Sequence, residues 1–234
     1  MISIRYSIRF DSGVERCFTV ELDYDTLDII VPERGEPAEW ARLEHEKCPN
    51  CSLDPEAHSH CPVAVNLADL IDFFKESKSH EEVDVWIETA ERNYSKRVPL
   101  QTVASSLMGI YMVTSGCPVL SKMRPMVQTH LPFQNWEEVC YRMVSMYLMA
   151  QYFLMKNGKE PDWKLEKLMD FFHEVYKVNN AFFQRLDSIK FEDGDASLNA
   201  VSILNASVNL TEMSIESDDM KHWEDLFMRY WDDK

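Results

Sequence analysis

Ile2-Ser3-Ile4-Arg5-Tyr6-Ser7-Ile8-Arg9-Phe10 alternates apolar and polar side chains without a break. A period of two belongs to a strand with one buried face. Asp11-Ser12-Gly13 is a turn signal. Phe18, Val20 and Leu22 then alternate with Thr19, Glu21 and Asp23, so the reading is a β-hairpin. Asp28-Ile29-Ile30-Val31 adds a short third strand that Pro32 stops. Farther on, Val83, Val85 and Ile87 alternate with Asp84, Trp86 and Glu88, a strand that runs on toward Tyr94. Paired with the hairpin, it makes a small antiparallel sheet of three or four strands.

Outside these strands the period becomes helical. Val63, Leu67, Leu70 and Phe74 predict a helix over roughly 63–77. After Pro99 the chain reads as helix almost to its end. Leu100, Val103, Leu107, Ile110 and Thr114 mark one helix, closed by Ser115-Gly116-Cys117-Pro118. Asn135-Trp136-Glu137-Glu138 reads as a capping box. It opens a helix with Trp136, Val139, Met143, Tyr147, Ala150 and Leu154 on one face. Asp162 caps the next, which carries Leu165, Leu168, Phe172, Val175, Phe182 and Leu186. Gly194 separates it from a Ser/Ala/Asn-rich helix near 196–213. A last helix near 218–231 shows Met220, Trp223, Phe227 and Tyr230. The expected fold class is α+β. A small antiparallel sheet comes from the N-terminal third, a Cys-rich loop from 32–62, and a C-terminal bundle of about five helices follows. The boundary falls between a β-rich part, 1–98, and a helical part, 99–234, packed as one unit.

Composition narrows the function classes. The 234 residues hold 24 Lys and Arg against 40 Asp and Glu, a formal charge of −16. That excess argues against nucleic acid, which wants clustered cations, and against anionic membrane surfaces. No stretch approaches the ~20 apolar residues of a membrane span. Met1-Ile2-Ser3-Ile4-Arg5-Tyr6 carries no signal-peptide pattern. The expectation is an acidic cytoplasmic protein of bacterial type, with a protein partner left open.

The strongest chemical signal lies in the aperiodic loop. Cys48-Pro49-Asn50-Cys51 is followed, nine residues later, by Cys61-Pro62. Two thiolates at this spacing bind one ion from a tight turn, whose N–H groups help hold the charge of the sulfurs. A structural zinc wants four such ligands. The fourth is Cys117, which also precedes a proline, or else His58 or His60. Proline after cysteine is also common at iron–sulfur ligands. The expected cofactor is therefore zinc or an iron–sulfur cluster on Cys48, Cys51, Cys61 and Cys117. A thioredoxin-like dithiol fits poorly, because Asp54-Pro55 breaks any helix after the Cys-x-x-Cys turn.

Other signals are weaker. Cys117 and His130 form a possible nucleophile–base pair on neighbouring loops, with Arg142 as a third actor. Without a supporting signature, a buried Cys117 and a His130 bonded to loop backbone is the plainer reading. Arg142, Tyr147 and Gln151 are the polar members of an otherwise apolar helix, placed to line a pocket or pair with the 115–132 backbone. Arg92, Lys96 and Arg97 answer local carboxylates. His173, in Asp170-Phe171-Phe172-His173, lacks the second motif of a di-iron site and reads as a surface or rim residue. Walker, Gly-x-Ser-x-Gly and His-Glu-x-x-His patterns are absent.

Cys48-Pro-Asn-Cys51, Cys61-Pro62, Glu91-Arg92-Asn93-Tyr94-Ser95-Lys96, Ser115-Gly-Cys117-Pro118, His130-Leu-Pro-Phe133 and Ser145-Met-Tyr-Leu148 occur in this order. Together they resemble an uncharacterised family of bacterial proteins, over about residues 40–210. The family has no assigned activity, so the resemblance implies no reaction, substrate or partner. The expected function is a non-catalytic metal-binding protein: a sensor, adaptor or assembly component. The alternatives are an enzyme or thiol-redox protein using Cys117 and His130, and an interaction module with free thiols.

Overall fold

The computed structural model describes residues 1–32, 35–74, 77–189, 195–216 and 220–231. Ile2–Phe10 (β1) and Glu15–Leu22 (β2) form the expected hairpin, with Tyr6 opposite Phe18 and Ile4 opposite Val20. Ile29–Ile30 (β3) pairs with the outer edge of β2. Glu82–Glu88 (β4) pairs with the other edge of β1, and Asn93–Pro99 (β5) with β4. The order is β3-β2-β1-β4-β5, with every pair antiparallel.

The sheet thus has five strands, because 82–99 is a second hairpin rather than one strand running to Tyr94. Thr89 makes the difference. Its hydroxyl accepts the N–H groups of Glu91 and Arg92, and its own N–H donates to the Arg92 carbonyl. A Thr that serves the backbone two and three residues on reverses the chain.

Alternation puts Ile4, Tyr6, Ile8, Val20, Leu22, Val83, Val85 and Ile87 on the inner face, none more than 1% exposed. Burial of each is worth about 1.5–3 kcal/mol. The outer face is charged and aqueous. Arg9 bonds Asp84 across β1 and β4 at 3.0 Å and lies over the Trp86 ring. Arg97 bonds Asp11 at 2.9 Å and approaches Asp84 at 3.6 Å. Such exposed pairs add little stability, but they agree with the register that the buried face already sets. The sheet ends in a two-residue strand on one side. On the other, β5 exposes Asn93, Ser95, Lys96 and Arg97 before it stops at Pro99.

Pro62–Phe74 (α1) and Leu100–Thr114 (α2) belong to the same apolar core as the inner face. Phe73 and Phe74 of α1 meet Phe10 and Phe18 edge-on and stacked. A ten-residue 3-10 segment, Leu120–Thr129, leads to Trp136–Lys156 (α3), Glu166–Asp187 (α4), Ala196–Glu216 (α5) and Lys221–Trp231 (α6). The expected capping box at Asn135 and Glu138 is formed. Asp162 takes the N–H groups of Glu166 and Lys167 at the start of α4. The separating Gly194, residues 218–219 and the side chain of Tyr230 lie outside the described residues.

Helix α5 packs against α2 and α4. Its Ser202, Ser207, Thr211 and Ser214 hydroxyls each donate to the carbonyl four residues earlier. These four hydroxyls therefore spend their hydrogen bonds within the helix and can face neighbours. Helix α3 departs from expectation. It buries only Val139, Cys140, Met143 and Gln151, and exposes Tyr141, Met149, Tyr152, Phe153 and Met155. Its sequence is apolar all round, so periodicity alone could not choose its inner face. One core cluster runs from β1 through α1 and α2 into α4 and α5. Among the described residues no helix is long and apolar enough to cross a membrane.

Candidate functional site

The loop before α1 has little regular structure of its own. It holds one 3-10 turn, Glu39–Ala41, and one bridge between Arg42 and His60. Leu43 N–H donates to the Ser59 carbonyl, and Cys61 N–H to the Ala41 carbonyl. Its other supports come from α4. Arg185 sends one guanidinium nitrogen to the carbonyls of Trp40 and Arg42, both at 2.7 Å, and the other toward the Leu43 carbonyl at 3.4 Å. Asn50 Nδ2 donates to the Glu174 carbonyl at 3.0 Å and to its carboxylate at 2.6 Å. His45 Nε2 shares a hydrogen bond with Ser188 Oγ at 2.7 Å.

These ties carry the cysteines to one place. Cys48 and Cys51 flank a turn closed by Cys51 N–H to the Cys48 carbonyl. Cys61 stands directly before Pro62, the first residue of α1, where a proline costs no hydrogen bond. Cys117 ends the turn after α2, and its sulfur accepts the N–H groups of Leu120 and Val119. Burial pushes the Cys48 thiol up to about 12, and the nearby Cys61, Cys117 and Cys51 sulfurs push the same way; the Arg185 cation opposes them. Burial likewise raises the Cys117 thiol, against the pull of its two N–H donors. Cys48, Cys61 and Cys117 all pack against the core. All six cysteines of the chain are free thiols.

Of the expected ligands, then, Cys48, Cys51, Cys61 and Cys117 share one neighbourhood. His58 is exposed, and His60 shares its Nδ1 with Ser59 Oγ at 2.9 Å. In the rotamers present, no three His, Cys, Asp or Glu side chains among the described residues converge on a point that a metal ion would occupy. The thiols form a cluster, not a closed tetrahedron.

Arg185 was not visible as a functional residue in the sequence. It is 2% exposed, the largest fully buried side chain among the described residues. Burial lowers its pKa, while Cys61, Cys48, Glu46 and Cys51 raise it. Its direct partners are carbonyls, so among the described residues its full charge has no carboxylate in contact. The signal available was one cation on the apolar stripe Val175, Val178, Phe182 and Leu186.

His130 and Arg142 meet elsewhere, on the wall of a cavity of about 180 Å³ among α2, the 3-10 segment, α3, α4 and α5. His130 Nε2 shares a 2.6 Å hydrogen bond with the Tyr6 hydroxyl. Burial, and then the Arg142 charge, drop its pKa to about 4. Arg142 donates to Gln134 Oε1 and to the carbonyls of Met126 and Thr129. That is the backbone pairing expected of it. Cys117 is not on this wall. Tyr147 and Gln151 both serve Asp162, as hydroxyl donor and amide acceptor. His173 is exposed on the surface, 2.8 Å from Glu212.

Residues 4–228 match a family described as a domain of unknown function, DUF6901. The chain belongs to that family. No curated protein and no solved structure shows significant similarity to it. The membership agrees with the resemblance to an uncharacterised family, and it brings no activity with it.

Proposed function

We propose that the DUF6901 chain is a metal-binding protein whose centre is held by Cys48, Cys51, Cys61 and Cys117. The observation that carries this reading is the placement of Arg185. A buried cation is expensive without a negative partner. Four thiolates around one divalent ion carry a net charge of −2, as do four thiolates around an oxidised cubane cluster. Either would supply the anion beside Arg185. Burial raises the Cys117 thiol, and the N–H groups of Leu120 and Val119 offset part of that rise, as they would for a metal-bound thiolate.

The resident group is zinc or an iron–sulfur cluster, and the donor set suits both. The centre would fasten an otherwise irregular loop to α4 and to the turn after α2. Such a protein acts as a sensor, adaptor or assembly component. Four clustered cysteines with no disulfide among them support a reducing compartment such as the cytoplasm. Catalysis by Cys117 and His130 has less support. The Cys117 thiol is raised rather than lowered, and His130 is engaged by Tyr6.

The test is metal and acid-labile sulfide analysis, with a visible spectrum, on chain purified without oxygen. About one zinc per chain without sulfide supports a zinc centre, and iron with sulfide supports a cluster. Neither metal overturns the reading. So does a Cys48→Ser chain that keeps full metal content and thermal stability.

A further inference from the structure

The cavity that His130 and Arg142 border has walls that are mostly apolar, including Ile110, Leu120, Met123, Val175 and Leu204. An empty space of this kind stays dry unless polar groups hold water in it. Polar side chains interrupt this lining, and two of the buried ones lack a side-chain hydrogen bond among the described residues. Asn179 of α4 is 3% exposed, lines the cavity and has no side-chain hydrogen bond among the described residues. Ser105 of α2, 7% exposed, is in the same position. Their polar atoms are not sealed in the packing but open to the cavity, where an occupant would meet them.

We infer that this cavity is a binding site for a small neutral ring bearing one amide-type group. Size supplies the ring. An engineered apolar cavity of about 150 Å³ accepts benzene, so about 180 Å³ leaves room for a ring with a three-atom substituent. Met123, Met126, Met143 and Phe133 supply the soft and aromatic contacts that rings prefer. Asn179 supplies the polar end, because its carbonyl and NH2 are both unmet and ask for one donor and one acceptor together. Neutrality follows from Arg142, whose fork is already occupied by Gln134 Oε1 and the Met126 and Thr129 carbonyls. A carboxylate would find no free charged fork here. The site is independent of the cysteines, and it stands or falls separately from the metal centre.

Benzamide is the probe, with benzoate and toluene as controls, titrated into the full chain by calorimetry. Saturable benzamide binding, about tenfold or more tighter than either control, is expected. In Asn179→Leu the preference reverses: benzamide weakens at least tenfold, and toluene holds or gains. Nuclear Overhauser contacts from the benzamide ring to the methyls of Met123, Met126 and Met143 place it in the wild-type cavity, whether or not that variant folds. No saturable binding at millimolar benzamide overturns the inference, as do equal affinities for benzamide and toluene or contacts at other methionines.

Discussion

The Tyr6 hydroxyl and the His130 ring nitrogen lie 2.6 Å apart, and the same hydroxyl is 2.7 Å from Ser106 Oγ. A sheet residue, an α2 residue and the loop before α3 are thus joined through one oxygen. Burial raises the Tyr6 pKa, so the phenol is neutral at working pH. His130 is neutral as well, its pKa dropped to about 4 by burial and by Arg142.

Stability should therefore fall with acid before the carboxylates titrate. The folded pKa of about 4 lies below the ordinary 6.5. Between those values the unfolded chain binds a proton that the folded chain refuses. Stability is complete above pH 6.5 and declines as pH falls toward 4. The decline attributable to His130 is on the order of 3 kcal/mol. Urea midpoints at pH 7 and pH 5 check this, and His130→Gln should flatten the slope between them. An unchanged slope in that variant refutes the assignment.

Arg185 organises the loop before α1 by reaching three carbonyls. Arg185→Lys keeps the charge but cannot span Trp40, Arg42 and Leu43. It should cost about 2 kcal/mol, and Arg185→Leu about 3–5 kcal/mol. Denaturant unfolding after chelation separates this contribution from that of the metal. Wild-type midpoints in both variants would show that the loop does not depend on the guanidinium.

Tyr147 donates to Asp162 at 2.6 Å, and the Asp162 N–H donates to Gln151 at 2.9 Å. Burial works against the Asp162 carboxylate. The Tyr147 hydroxyl and the N–H groups of Lys167, Glu166 and Lys164 outweigh it and hold the pKa below the ordinary value. Tyr147→Phe removes one charge-assisted bond and should cost about 1.5–3 kcal/mol. In a chain of this length that is a fall in Tm of roughly 3–10 °C, readable by calorimetry.

Gly109 is a helix-interior glycine on the cavity wall. An added Cβ would sit 3.4 Å from Leu204 Cδ2, the free end of a flexible side chain. Gly109→Ala should stabilise α2 by about 0.5–1 kcal/mol through helix propensity. The same methyl narrows the cavity, so Tm should rise while benzamide binding weakens. A rise in both would show that the methyl does not reach the ligand space.

Residues whose partners are close in sequence were legible. Alternation over 2–10 and 18–22 marked β1 and β2, and Asn135 with Glu138 marked a cap that forms as read. Asp162 was legible as the acceptor for the first N–H groups of α4, although the helix starts only at Glu166, after a left-handed Leu165 that the sequence placed on its face. The 89–92 turn was missed, because Thr-Ala-Glu-Arg carries neither Gly nor Pro; the reversal depends on one hydroxyl. Local spacing linked Cys48, Cys51 and Cys61, whereas the neighbourhood of Cys117 depends on packing. Arg185 and Asn179 stayed hidden. Each is a single polar residue on an apolar stripe, and only the tertiary structure shows that one faces sulfur and carbonyls and the other an open space.

The two ends of the sheet bear on how this chain behaves in a crowded solution. A sheet edge with free N–H and C=O groups is a template on which another molecule can add a strand, and repetition of that step builds fibrils. Here one border is only Ile29–Ile30, and the other presents Lys96 and Arg97 before Pro99. Neither border offers a long, flat, uncharged template, so propagation from molecule to molecule through the sheet is blocked. The hazard of unwanted association moves to the helical half, where Tyr152, Phe153 and Trp163 stand about half exposed.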